Sequence, residues 1–326
     1  MKICVYGAGA IGGVLGVRLA LAGHAVSLVA RGPHLAAIRA RGLTLLHREE
    51  RHTVRFAASE NAADFGPQDA VIVALKAHSL TAAAQDIAPL LGEHTSVVTA
   101  INGVPWWFFH GWGGALDGRV LKACDPDGRI AQAIAHERII GGVVFLAADV
   151  PEPGVVRHNS GNRVLLGEPS QPASPRVDAL AGALAGAGFD ARASANIRRD
   201  IWLKLWGNVC YNPVSVLTGT DTRRMLDDPH LYALFVAMMR EAAAVGNALG
   251  LDLSGSVEDR IAMTRKLGGI KTSMLQDAEA GRPIELDAIV ASTIEVAQMV
   301  GVPTPFINTV FGLVRVRAAN LGLYPA

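Results

Sequence analysis

The stretch Lys2–Gly12, KICVYGAGAIG, decides the fold. A short apolar run of strand character leads directly into Gly7, Ala8, Gly9, Ala10, Ile11 and Gly12, and a helical stretch follows as far as Gly23. In a strand, tight turn and helix of this kind each glycine has its own task. The first makes the turn, the second lets a pyrophosphate approach the backbone, and the third lets the helix lie close on the strand. Three glycines alone carry little weight. Placed after a first strand and before a second at His24–Ala30, they predict an N-terminal Rossmann-like dinucleotide-binding domain.

The end of that second strand bears on which dinucleotide. Sites for NAD commonly carry an Asp or Glu roughly 20 residues past the glycines to bind the ribose hydroxyls. Here the strand ends Val29, Ala30, Arg31, with no acid. A guanidinium suits a 2′-phosphate through charge-assisted hydrogen bonds, so NADPH is the expected cofactor.

Residues 43–48 and 52–58 alternate weakly and read as strands joined by a charged turn at Arg48–Arg51. Asp69–Leu75 is a run of the buried parallel type with Lys76 at its carboxyl end, and Ser96–Ile101 is another, ending in Asn102 and Gly103. Ligands of open α/β sheets bind beyond the carboxyl ends of the strands, so the glycine loop, Arg31, Lys76 and Asn102 are expected to converge there. The aromatic run Trp106, Trp107, Phe108, Phe109 is either a packing wedge or a lid over a ligand. Three more strands are expected near 139–148, 154–158 and 162–167, separated by Pro-Glu-Pro-Gly and Asn-Ser-Gly-Asn turns. His158 is either an acid catalyst or an ordinary residue at a strand edge. The segment 169–175, PSQPASP, reads as a linker, which places a cofactor domain at 1–168 and a second domain at 169–326.

Beyond the linker a helix near 176–187 and a short strand at 189–192 precede a helical signal at 197–211, 230–249, 256–270, 285–300 and 305–319. The expected class is α/β, a Rossmann-like domain followed by an all-helical C-terminal domain. The helix that opens this bundle carries IWLKLWGNVCYNPVSVLTG, residues 201–219. Lys204, Asn208 and Asn212 stand four apart. At roughly 100° per residue they share one face, set among Trp202, Leu205, Trp206, Val209 and Cys210. Polar groups in such surroundings need partners, from the protein or from a ligand; the alternative is a snorkelling lysine beside two surface amides. Pro213 disfavours helical geometry at Asn212 and predicts a kink there.

Of 326 residues, 50% are apolar and 18% charged, with a net charge of +1. That balance supports about two domains with sizeable cores and gives no footprint for nucleic acid. The longest apolar runs, Ile139–Ala148 and Leu231–Met239, are far shorter than the ~20 residues of a membrane span. Cys4, Cys124 and Cys210 are odd in number and widely spaced, and the ten histidines show no ligand spacing, so neither disulfide nor metal is expected. With Met1 and Lys2 leading straight into a strand, a cytoplasmic protein is expected, and the apolar helices suggest a homodimer.

These motifs together resemble the ketopantoate reductase (2-dehydropantoate 2-reductase) family nearly end to end. The carrying residues are GAGAIG at 7–12, Lys76, Asn102 and Gly103, the run at 153–168, KLWGNVCYN at 204–212 and TSMLQDAEAGRPIELD at 272–287. The resemblance implies reduction of a 2-oxo acid. Lys204 would be the general acid, and Glu285 would bind the substrate hydroxyl and help hold the lysine. Asn208, Asn212 and Ser273 would position the substrate, while Lys76 and Asn102 would border the nicotinamide site. Read from the residues alone, Glu285 is equally a favourable charge at a helix start and Ser273 a helix cap. The chain departs from the family pattern at Ser79, Val290 and Ala291, positions that touch the substrate pocket more than the cofactor site. Other readings are a reductase of another 2-oxo acid, a β-hydroxy-acid dehydrogenase and a non-catalytic NADPH sensor.

Overall fold

The computed structural model describes residues 1–170, 174–253 and 255–325; part of the linker at 169–175 lies outside them. By its contacts the chain divides into two compact units. The first comprises 1–101, 106–120 and 127–200, and the second 102–105, 121–126 and 201–326.

The first unit is built on a ten-stranded sheet. Its strands are β1 (Lys2–Tyr6), β2 (Ala25–Val29), β3 (Leu43–His47), β4 (Glu50–Val54), β5 (Ala57–Ser59), β6 (Gln68–Val73), β7 (Leu91–Thr99), β8 (Ile139–Glu152), β9 (Val155–Gly167) and β10 (Asp190–Ala193). They lie in the order β4-β3-β9-β8-β7-β6-β1-β2-β5, with β10 paired to β9. Strands β7, β6, β1, β2 and β5 run parallel, so their carboxyl ends share one edge. From β1 the chain moves first to β2 on one side and later to β6 on the other. That reversal makes the β1/β6 boundary the switch point where such sheets bind ligands.

Helices α1 (Ala10–Leu21), α2 (Gly32–Arg41), α3 (Ala77–Ala83), α4 (Arg129–Ala133) and α5 (Pro175–Gly186) belong to this unit. Ile3, Val5, Val14, Leu15, Leu28 and Ile140 are among the core residues between sheet and helices. The aromatic run resolves as a packing wedge. Trp107, Phe108 and Phe109 are fully buried, and the Trp107 indole N–H donates to Thr99 Oγ1 at 3.2 Å.

Two sequence expectations change. The predicted strand at 52–58 is two strands, because β4 pairs with β3 while β5 pairs with β2. The expected turn at Asn159–Asn162 lies inside the continuous strand β9. Pairing with β8 absorbs it as an irregularity between Phe145 and Ala147, where Gly161 takes a positive φ of 77°.

The second unit is helical. It takes in most of α6 (Ile197–Thr218) and α7 (Thr222–Asp227), α8 (Pro229–Ala248), α9 (Val257–Lys266), α10 (Ser273–Glu279), α11 (Ser292–Met299) and α12 (Pro305–Asn320). Buried indoles fasten α6 to α8: Trp202 Nε1 donates to Ala242 O at 3.0 Å and Trp206 Nε1 to Met239 O at 2.8 Å. Glu241 of α8 accepts from the backbone amides of Phe306 and Ile307, capping α12. The predicted helix at 197–211 runs on to Thr218 through Pro213. Tertiary packing overrides the local preference: every residue from Val209 to Val216 is buried. The expected helix at 285–300 opens instead with a π turn over Asp287–Ala291, continuous with α11.

Candidate active site

In the first unit the expected cofactor residues all lie along the carboxyl edge of the sheet. Gly7 follows β1 with φ 104°, and its N–H and that of Ala8 both donate to Val29 O at 3.0 Å. At Gly12 an added Cβ would stand 2.1 Å from Gly7 O, so only glycine lets α1 start this close to the loop. At Gly9, by contrast, a Cβ would meet nothing within 4 Å. The loop is open on that side. Ala10 and Ile11 form the first turn of α1, which carries no acidic residue, so its free amides suit an anion.

Arg31 is exposed at the N-cap of α2, immediately past β2, and Lys76 is half-buried at the N-cap of α3, past β6. His34 locks this edge. It accepts from the Gly154 amide at Nδ1 (3.0 Å), so its proton lies on Nε2, which donates to Ala8 O at 2.8 Å. Burial pushes its pKa below the ordinary histidine value.

His158, the other titratable candidate, faces elsewhere. It is buried on β9, stacked on His47, with Nδ1 accepting from Arg18 (3.1 Å) and Nε2 donating to Gly161 O (2.6 Å). Both ring nitrogens are committed within the protein. That arrangement fits the strand-edge reading better than acid catalysis.

The second unit brings Lys204, Asn102 and Glu285 together. Lys204 Nζ donates to Asn102 Oδ1 at 2.8 Å, and Asn102 Nδ2 donates to Glu285 Oε2 at 3.4 Å. The amide thus links the cation to the carboxylate. Lys204 is half-buried and Glu285 is buried. Burial pushes the Lys204 pKa down to about 8, opposed by the Glu285 carboxylate, which favours the ammonium. Near neutrality the lysine is still mostly protonated, now close to the range in which a general acid gives up its proton readily.

Asn102 reaches this position on a segment seated against the π turn. Gly103 has φ 85°, and a Cβ there would stand 2.0 Å from Ala288 O. The next amide, Val104 N–H, donates to that same carbonyl at 2.9 Å.

The remaining residues of the α6 face differ in environment. Asn208 is half-buried, and among the described residues its side chain makes no hydrogen bond. Asn212 is 4% exposed, and its Nδ2 has no partner among them. An unpaired buried amide costs free energy unless something fills its need. Ser273 is exposed at the first residue of α10, and the cap of that helix is its neighbour. Thr272 Oγ1 accepts from Leu275 N–H at 3.1 Å, Thr272 and Ser215 hydroxyls lie 2.6 Å apart, and Ser215 Oγ donates to Asn212 O at 2.7 Å. Sequence reasoning missed Thr272 and Ser215. The cap that the sequence reading placed at Ser273 is Thr272, one residue earlier.

The model of the family Ketopantoate reductase PanE/ApbA matches residues 3–106, and that of its C-terminal part matches 196–318. A 2-dehydropantoate 2-reductase of Mesorhizobium japonicum is 50% identical over 325 residues, which cover 99% of this chain and 100% of that protein. The chain belongs to the ketopantoate reductase family. Among solved structures, a ketopantoate reductase candidate from Ralstonia solanacearum MolK2 is 52% identical, with a TM-score of 0.95 over 99% of both chains. D-mandelate dehydrogenase, solved with NADH and anilino(oxo)acetate, is 23% identical with a TM-score of 0.85, over 99% of this chain and 100% of that one; it shares the fold.

In this member of the family the residues at 290 and 291 form part of the π turn, where Val290 is fully buried. No signal in the sequence announces that turn. Among the described residues there is no cluster of three or more potential metal ligands and no helix long and apolar enough to cross a membrane.

Proposed function

We propose that this ketopantoate reductase family member reduces the ketone of 2-dehydropantoate to the hydroxyl of (R)-pantoate with NADPH, using Lys204 as general acid. The observation that carries the reading is the Lys204–Asn102–Glu285 chain, with an ammonium at its head whose pKa is lowered to about 8. Hydride arriving at a ketone carbon leaves negative charge on oxygen, and a positioned ammonium both stabilises that charge and donates the proton. Asn102 orients the ammonium, and Glu285 keeps it charged despite burial. The Asn212 amide, the Asn208 side chain and the Ser273 hydroxyl are the groups proposed to position the substrate.

NADPH supplies the hydride. The Gly7–Gly12 loop and the start of α1 would hold its pyrophosphate, Arg31 its 2′-phosphate, and Lys76 and Asn102 would border the nicotinamide. The fit rests on the open side of the loop at Gly9, the acid-free first turn of α1 and the exposed guanidinium past β2. In this reading the sheet unit is the cofactor domain and the helical unit, whose longest segment begins at residue 201 rather than at the linker, the substrate domain of a cytoplasmic homodimer. Supporting the dimer, α12 exposes Phe306, Leu313 and Val316. Light scattering tests that part, and a monomeric mass rejects it.

The deciding experiment is the rate of NADPH oxidation by purified protein with 2-dehydropantoate and a panel of other 2-oxo acids. Selective turnover of 2-dehydropantoate is expected. Preference for another acid keeps the chemistry and moves the substrate, in line with the departures at Ser79, Val290 and Ala291. Nucleotide binding without turnover of any acid rejects the enzyme reading in favour of a sensor.

A further inference from the structure

The π turn at Asp287–Ala291 has a consequence for the site. In a regular helix the Ser292 amide would bond to Ala288 O, four residues back. Here it bonds to Asp287 O, five back. Ala288 O is thereby released from its helical donor, and two others take its place. Ser292 Oγ donates to it at 2.6 Å, and Val104 N–H donates to it at 2.9 Å. A side-chain hydroxyl thus stands in for its own backbone amide, and the carbonyl it satisfies is the seat of the segment that carries Asn102.

Other bonds hold the surroundings. Thr293 Oγ1 makes the same kind of bond to Ile289 O at 2.7 Å, and both hydroxyls are fully buried. Cys124 Sγ donates to Val104 O, and the Glu295 carboxylate accepts the backbone amides of Lys122 and Ala123 at 2.8 and 2.9 Å. None of these bonds reaches Ala288 O, which the Ser292 hydroxyl and the Val104 amide share.

We propose that Ser292 is a positioning residue: by satisfying Ala288 O it keeps the π turn open for Val104, and so holds the Asn102 amide between Lys204 and Glu285. Without the hydroxyl the simplest repair is for the Ser292 amide to return to Ala288 O, closing the turn to regular helix. That shift competes with Val104 N–H and moves Gly103 and Asn102. The inference rests on the proposed role of Lys204. The charge facing that ammonium is Glu285, and Asn102 Oδ1 accepts from it.

The test compares Ser292→Ala, Ser292→Thr and Gly103→Ala with the parent protein, each first checked for an unchanged far-ultraviolet spectrum. Two quantities are read: the pH profile of kcat, and the pH dependence of acetylation of Lys204 by acetic anhydride, followed by mass spectrometry. The second needs no turnover, so it stands even if no substrate is found. In Ser292→Ala the lysine loses the bond to Asn102 Oδ1, and both its titration and the alkaline limb are expected to move to lower pH, with kcat down about tenfold. Ser292→Thr should restore both. Gly103→Ala, which forces the segment off Ala288 O by contact with backbone, should reproduce the loss even if the serine change is repaired locally. A Lys204 titration unmoved in both Ser292→Ala and Gly103→Ala overturns the proposal. Silence of the parent protein toward every 2-oxo acid would instead overturn the functional reading and leave the titration result interpretable.

Discussion

The carboxyl edge of the sheet and the Lys204 face of the helical unit are built in opposite ways. Along the edge the loop offers mainly main-chain groups, and what matters is the absence of side chains: Gly9 leaves space and Gly12 allows close approach. On the helical face the chemistry lies in side chains, and the backbone matters as the support that aims them. A close backbone approach such as that at Gly12 tolerates no added atom. A side-chain site tolerates crowding better but fails when one functional group is removed.

The strongest test of that contrast is Lys204→Ala. If the ammonium is the general acid, kcat for the 2-oxo acid should fall by about 10²–10⁴-fold, while NADPH affinity measured by fluorescence titration stays within a factor of two or so. Retention of near-normal turnover would remove Lys204 from the mechanism. In the parent enzyme kcat should decline as pH rises through about 8, because the lysine then loses the proton it must donate. The complementary change is Gly12→Ala. One methyl group forced against Gly7 O should destabilise the protein by about 1–3 kcal/mol in denaturant unfolding and weaken NADPH at least about tenfold through the displaced loop. A Gly12→Ala protein with parental affinity would show that the loop yields more readily than its geometry suggests.

The same contrast explains what was legible in the sequence. Backbone constraints write themselves as glycine, so the loop, its flanking strands and the α/β class were readable from residues 2–30. The periodicity of Lys204, Asn208 and Asn212 placed three polar groups on one helix face, yet gave no sign that Lys204 would be bonded to Asn102, 102 residues away. Nor did it show that Asn212 would be buried with an unpaired amide. The π turn escaped because its cause is not local composition: Ala288 O exchanges a helical donor for Val104 N–H and Ser292 Oγ. Likewise Pro213 argued for a kink that packing overrode, and Asn159–Asn162 argued for a turn that β8 absorbed.

Arg31 sharpens the comparison, since its expected contribution to cofactor binding comes from a side chain's charge. Loss of a charge-assisted contact to the 2′-phosphate predicts about a tenfold rise in KM for NADPH in Arg31→Ala, with KM for NADH unchanged. Equal weakening of both nucleotides would mean that the arginine does not read the phosphate.

The smallest effect concerns acid. Nine of the ten histidines lie in the first unit, and His34, His136 and His158 there all have pKa values lowered by burial. As pH falls through the ordinary histidine value of ~6.5, the unfolded chain takes up these protons before the folded one does. Stability is therefore full above that value and declines below it, toward the lowered pKa values of the folded state. For His34 the physical reason is specific, because a second proton on Nδ1 would abolish the bond from the Gly154 amide. Thermal melts should accordingly fall between pH 7.5 and 5.5. Hydrogen exchange followed by mass spectrometry should place the weakening around α2, β8 and β9 and spare α6 and α8. Equal acceleration in both units would show that acid acts through something other than these buried histidines.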